Sequence, residues 1–386
     1  MPSSGLSLHA HMRLLIDFRP LSGPYLDSKT EGYFTAILDR LAAANSGLKC
    51  VYLCDRIPSG NALAGPALEN MIIRKSLPGI VGWKLWFDKV IPGIAEKIKA
   101  DLVLHAGCIS SLRMGRPQAV WIPRPPYGKA AEKEKSFGRL VLKKLSLTQE
   151  RAAVIFTGSV GMKQTLCQLF PQASRKILVI PPAASGEFRR YTWEEKAWVR
   201  ESLTAGKEYF LVLGQRVDPA DLTDVLKAFS LFKKRQHSGV QLVISVSHLS
   251  RKQEFQEKLK TYKYRQEVQL AIGDAEAEIA KKLSAAYAVI QPDYHEPGLL
   301  QAFRSGAPVI SLGEKYPETL CGDAVLYATP GSIESLAEQL KLLYKNEGLK
   351  TQLAQKGLDL EPEFSWQKSS GLLWTGLIQA IEGGHL

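Results

Sequence analysis

Short, uninterrupted apolar runs alternate along this chain with longer stretches in which apolar residues recur every three or four positions. In the first half the runs cover residues 14–18, 48–53, 101–105, 119–122, 153–157 and 177–180. They read as strands buried on both faces, because a strand with one face in water would alternate apolar and polar residues. Residues 35–44, with Ile37, Leu38 and Leu41 on one side, predict a helix. Residues 83–99 mix Trp83, Trp86, Phe87, Val90 and Ile91 with Lys84, Lys89, Lys97 and Lys99. That pattern suits a helix packed on its own sheet with lysines outward, with an amphipathic segment resting on a membrane surface as the alternative. The rhythm breaks between 181 and 207, where two prolines, a charged helix over 193–202 and Ala205-Gly206-Lys207 predict a connection between domains. It then restarts, with strands expected at 210–213, 241–245, 268–272, 288–290 and 308–310. Helices are expected through Leu222–Phe232, at 276–286 and 333–345, and at the end over 366–381. Strands alternating with helices predict two α/β domains with parallel sheets.

A chain of 386 residues suits two such cores better than one, and 45% hydrophobic with 23% charged residues is ordinary globular composition. No run of about 18 apolar residues predicts a bilayer-spanning helix. Residues 1–11 lack the apolar core of a secretory signal, so the fold is expected to begin at Met12 and the protein to be cytoplasmic. The five cysteines form no CxxC pair and no zinc spacing, which predicts reduced, buried thiols. Charge is uneven. Residues 1–190 carry 27 Lys and Arg against 13 Asp and Glu, a net +14, whereas residues 191–386 carry 23 against 25, a net −2. The basic half has two readings, solubility alone or attraction to phosphates and to an anionic membrane surface. No nucleic-acid signature interleaves the cations, so no nucleic-acid partner is expected. A G-x-G-x-x-G fingerprint, a Walker A loop, a G-x-S-x-G elbow and an H-E-x-x-H zinc motif are all absent.

One ordered set of motifs remains. Leu213-Gly214-Gln215-Arg216 closes a strand. Ile272-Gly273-Asp274 precedes a helix. Residues 291–298, ending Glu296-Pro297-Gly298, lead into Leu299-Leu300-Gln301. Gly306-Ala307-Pro308-Val309, Pro317-Glu318 and Phe364-Ser365-Trp366 follow. In the first half stand Ile16-Asp17-Phe18-Arg19-Pro20, Glu31-Gly32-Tyr33, a strand ending in His105, and residues 176–181. This order resembles the retaining glycosyltransferases of the GT-B fold, family 4 (group 1) type, over nearly the whole chain from Met12.

The resemblance implies two Rossmann-like parallel-sheet domains facing across a cleft. Residues 12–190, with a returning helix over 366–386, would be the acceptor side, and 207–365 would hold a nucleotide sugar. It implies Glu296 and His105 as catalytic residues. Donor binding would fall to Gly32, in what looks like the family's glycine loop, and to Gly214, Arg216, Gly298, Leu299, Gln301 and Glu318, with no cofactor and no metal. A leaving nucleoside diphosphate gains negative charge, which cations, backbone N–H groups or a helix N-terminus stabilise. The sequence departs from the family at three places. The family's lysine position falls near Ala220, Gln301 stands where a glutamate is usual, and Pro123-Arg124 replaces a histidine, leaving Arg124 as an auxiliary cation. Two function classes follow. One is an enzyme moving a hexose to a glycan or lipid-linked acceptor in cell-envelope polysaccharide synthesis, on the inner face of the membrane. The other is a GT-B pseudoenzyme that binds or scaffolds an active transferase.

Overall fold

The computed structural model describes residues 12–18, 28–55, 71–75, 77, 79–107, 109–122, 146–293, 296–312 and 318–383. The chain divides into two compact units. The first holds the described residues up to Pro182 together with those from Trp366 onward, and the second holds Ala183–Ser365.

In the first unit the elements run β1 (Arg13–Asp17), α1 (Ser28–Ala44), β2 (Lys49–Cys54), β3 (Met71–Ile73), α2 (Gly79–Leu85), a π-helical turn (Trp86–Val90), α3 (Ile91–Lys97), β4 (Leu102–His105), β5 (Gln118–Trp121), β6 (Val154–Thr157), α4 (Val160–Leu169) and β7 (Ile177–Val179). In the second they run α5 (Trp193–Thr204), β8 (Tyr209–Val217), α6 (Pro219–Gln236), β9 (Gln241–Leu249), α7 (Lys252–Lys260), β10 (Val268–Ile272), α8 (Glu276–Ala285), β11 (Ala288–Gln291), α9 (Glu296–Arg304), β12 (Val309–Ser311), α10 (Glu318–Cys321), β13 (Val325–Tyr327), α11 (Ile333–Lys345) and α12 (Glu347–Leu360). The chain then re-enters the first unit with α13 (Trp366–Ile381).

Both sheets are parallel throughout their described pairings. The first has the order β3-β2-β1-β4-β5-β6-β7 and the second β10-β9-β8-β11-β12-β13. Each order reverses once, between β1 and β4 in the first sheet and between β8 and β11 in the second. The two carboxyl ends at such a reversal diverge into helices on opposite faces and leave a crevice, the usual ligand position in open α/β sheets. The apolar runs are buried as their pattern requires. Leu14 and Ile16 face α1 and α13, while Leu15, Leu53 and Val103 face Trp86, Phe87 and Ile91 of the 79–97 helical stretch. That stretch therefore packs on its sheet, and Lys84, Lys89 and Lys97 remain exposed.

Helix α13 lies close against its sheet. A Cβ at Gly376 would stand 2.5 Å from the Phe156 ring and 2.9 Å from Leu178 Cδ1, so the approach requires glycine. Ser369 Oγ and Tyr33 Oη both donate to the Pro181 carbonyl, at 2.7 and 2.8 Å, tying α13 and α1 to the end of the first unit. Burial pushes the Tyr33 phenol far above its ordinary range. Trp366 stacks near Tyr33 (5.3 Å between centroids) under the Arg40 guanidinium (4.4 Å).

Three local expectations change. Residues 181–207 form more than a connection, because Phe188 and Val199 are buried in the second unit's core. Helix α5 has its own capping box, with Thr192 Oγ1 accepting from Glu195 N and the Glu195 carboxylate accepting from Thr192 N. Strand β8 continues past Leu213 to Val217, pairing Arg216 with His248. Gly32 does not lie in a loop. It falls inside α1, which starts seven residues earlier than the apolar period of 35–44 indicates.

Candidate functional site at the strand ends

At the reversal of the second sheet, β8 and β11 bring Gly214 and Gln215 beside the loop that follows Gln291. Gln215 N donates to Asp293 Oδ2 at 3.2 Å. A Cβ at Gly214 would lie 2.3 Å from Val217 Cγ2, 3.2 Å from Asp293 Oδ1 and 3.3 Å from Pro292 Cγ. Glycine is thus what lets β8 and the β11 loop pack together. The same loop leads into α9, whose first residue is Glu296. Only 6% of Glu296 is exposed, so a carboxylate sits nearly buried at the positive end of a helix dipole. Gly298 is buried. The Leu299 side chain belongs to the core and leaves only its backbone to a ligand, and Gln301 is half-buried one turn on. Arg216 lies at the end of β8 and Glu318 opens α10, both placed here by backbone alone. Arg124 lies outside the described residues.

The next helix, α6, starts at the same end of the sheet. Its N-cap is Asp218, which accepts from Ala220 N at 3.1 Å and from Arg251 Nη2 at 2.8 Å. Ala220, at the family's lysine position, is exposed, and Lys227 lies two turns along with its ammonium 3.3 Å from Asp224. The sequence reading missed Arg251, because nothing in its neighbourhood marks a left-handed residue (φ 49°) between β9 and α7. Its guanidinium brings positive charge to the α6 N-terminus, already offset by Asp218 and by Glu254 at 3.1 Å.

The reversal of the first sheet is built differently. Asp17 ends β1 and His105 ends β4, opposite one another in register. Both are fully buried. His105 Nδ1 faces Asp17 Oδ2 at 3.3 Å, and Nε2 lies 2.9 Å from Gln118 Oε1. Gln118 is held in one orientation, because its Nε2 donates to Ser111 O (3.0 Å) while Oε1 accepts from Ser111 N (2.9 Å). His105 Nε2 is therefore the donor to Gln118. Trp86 Nε1 donates to the other Asp17 oxygen at 3.0 Å. Both His105 ring nitrogens are engaged by protein groups and the ring is buried, an arrangement that braces the strand ends. Among the described residues, no three His, Cys, Asp or Glu side chains gather to hold a metal.

Two reversal crevices in two parallel-sheet units define a protein of the GT-B type. Residues 195–359, within the second unit, match the family model described as Glycosyl transferases group 1. Solved structures agree on the fold. A glycosyltransferase from Rickettsia africae superposes with a TM-score of 0.69 at 13% identity, covering 96% of this chain and 99% of that one. HepE from Anabaena in complex with UDP-glucose gives 0.66 at 14% identity, covering 95% and 99%. WaaG, a glycosyltransferase involved in lipopolysaccharide biosynthesis, gives 0.63 at 14% identity, covering 94% and 99%. No curated protein sequence matches the chain significantly.

Proposed function

We propose that this protein is a retaining hexosyltransferase that takes its sugar from a nucleoside-diphosphate donor, with UDP the first base to test, and passes it to a glycan or lipid-linked acceptor. The observation that carries this reading is the pairing of Gly214 with the β11–α9 loop, which sets the nearly buried Glu296 at a helix start beside the sheet reversal. The N–H groups of the first α9 turn and the Arg216 cation supply what a leaving diphosphate needs. Glu296 accepts hydroxyls of the donor sugar, and Gln301, polar but uncharged, accepts those of the ribose. The HepE complex with UDP-glucose lends support to a UDP donor.

The acceptor side is the basic first unit, working at an anionic membrane surface. Leu77 and Val81 are 59% and 65% exposed, Ile73 and Leu85 are exposed beside them, and Arg74, Lys75 and Lys84 are exposed between them. Apolar side chains with flanking cations suit the headgroup boundary of such a membrane. No helix among the described residues is long and apolar enough to cross one. Cosedimentation with vesicles of phosphatidylcholine and phosphatidylglycerol is expected to be salt-sensitive and to weaken in Val81→Glu. Equal recovery of protein with neutral and anionic vesicles removes the membrane role.

A pseudoenzyme is the second reading, favoured by the exposed Ala220 at the lysine position and by the offset charge of Arg251. Melting of the protein with UDP-, GDP-, ADP- and TDP-sugars separates the two. Stabilisation by one base, about 2.7 kcal/mol at a hundredfold excess over Kd, together with release of the nucleotide on adding acceptor, supports the enzyme. Loss of the stabilisation in Arg216→Ala and Glu296→Ala assigns it to this site. Binding without turnover supports the pseudoenzyme, and no stabilisation by any sugar nucleotide overturns the enzyme and leaves the scaffold reading.

A further inference from the structure

The second unit carries an aromatic surface away from its strand ends that the transferase reading does not use. Helix α5 satisfies the core with Val199 and Thr204, yet Trp193 is 77% and Trp198 is 65% exposed. Trp198 lines an open groove of about 390 Å³ with Tyr191, Glu194, Glu195 and Lys281. Indole is the largest apolar surface a residue offers, and two of them left in water within six residues of one helix do nothing for this fold.

The charges around the groove are nearly all spoken for by one another. Arg189 forms a two-pronged pair with Glu195 (2.9 and 2.5 Å) and lies over the Tyr191 ring at 4.5 Å. Lys281 pairs with Glu278 at 2.7 Å. The lining acid outside these pairs is Glu194, exposed in the first turn of α5, where its own backbone N–H and then the Thr192 hydroxyl hold its carboxyl below the ordinary value. An anionic ligand would meet Glu194 and no unpaired lining cation. A purely apolar ligand would strand the carboxylates around the rings. A ligand with a flat C–H face and a rim of neutral hydroxyls satisfies both, since it covers the indole and donates to Glu194 and Glu195.

We propose that the Trp198–Tyr191 groove is a binding platform for a neutral oligosaccharide, separate from the sugar-nucleotide site. It places a second handle for glycan on the second unit. The site does not rest on the donor reading. Groups of this composition also form hot spots between proteins, but the internally balanced charge leaves no complementary pattern for a protein partner to read.

The test is a calorimetric titration of the full chain with maltohexaose, cellohexaose and hexa-N-acetylchitohexaose, with a hexagalacturonate as the charged control. Saturable binding of one neutral hexamer is expected, with Kd on the order of 1 mM or tighter. Trp198→Ala should weaken it at least tenfold at an unchanged melting temperature, and Trp198→Phe should restore part of it. The variant Glu296→Ala should bind the hexamer normally, so failure of the donor site leaves this result readable. The absence of saturable binding by any neutral hexamer, or binding indifferent to Trp198→Ala, overturns the proposal. So does concentration-dependent self-association in sedimentation that disappears in the Trp193→Ala, Trp198→Ala double variant, which would make the surface a contact between copies.

Discussion

The two sheet reversals share a topology and differ in what fills them. In the first unit the crevice floor is closed by side chains, with Asp17, His105, Gln118 and Trp86 all buried and hydrogen-bonded to one another. In the second it is built from backbone, with Gly214 and Gln215 against Pro292 and Asp293 and the α9 N-terminus alongside. A floor of interlocked side chains is rigid, whereas a floor of backbone beside a helix N-terminus has the polarity that suits an anion. Within one fold, the same position serves stability in the first unit and, under the proposed function, binding in the second.

The comparison breaks most readily at His105. Replacing it by alanine removes one hydrogen-bond partner each from the buried Asp17 carboxylate, which keeps Trp86 Nε1, and Gln118 Oε1, which keeps Ser111 N, two losses of about 1–3 kcal/mol each. Urea unfolding of His105→Ala should show a loss of that size. UDP-sugar stabilisation of the folded protein should persist, because no ring atom is exposed to a ligand. A variant that is stable but loses turnover would give His105 a direct catalytic role and end the contrast between the two floors.

Gly214→Ala sharpens the same contrast from the other side. The added Cβ has rigid neighbours in Val217, Pro292 and Asp293. It clashes first with Val217 Cγ2 at 2.3 Å and crowds the β11 loop at Asp293 and Pro292, at a cost of about 1–3 kcal/mol. The expected signature is the reverse of His105→Ala, with a smaller loss of stability and a greater loss of nucleotide response. The melting shift on adding UDP-sugar, compared between the two variants, is the measurement.

Much of this was legible in the sequence. Apolar runs buried on both faces identify parallel strands whatever their partners, so 288–290 and 308–310 were found within a residue or two of β11 and β12. The end helix over 366–381 was found whole, because its apolar period is strong. What escaped were features set by tertiary context. Strand β8 runs on through Gly214 because β9 is long enough to pair with it as far as Leu249, and no local residue announces that. Gly32 reads as a loop residue until Tyr33, hydrogen-bonded to Pro181, and Phe34, stacked near Trp121, hold the following turn of α1 in place. His105 carries the same letters whether it serves a reaction or a scaffold. Gln118, thirteen residues on, and Trp86, nineteen residues before it, decide which. Asp17 was the available clue, a carboxylate at the end of an otherwise apolar run that must find donors once buried.

The smallest effect lies at the other extreme of charge placement, where the second unit keeps an ion pair on its surface. Glu195 is pulled down to about 2, first by the hydrogen bonds from Arg189 and then by the Thr192 N–H. A carboxylate lowered on folding adds stability at pH values above its unfolded value near 4.5, and that stability is lost as pH falls through the folded value. The difference in melting temperature between the protein and Glu195→Gln should therefore be constant above about pH 5. It should shrink as the pH falls below the unfolded value and vanish near pH 2. Added salt should narrow it at neutral pH, since the pair is solvent-exposed. His105→Ala, removing a partner that water and ions do not reach, should be insensitive to the same salt. If both variants respond to salt alike, the first unit's network is not sealed, and its strand ends are as open to solution as those of the second.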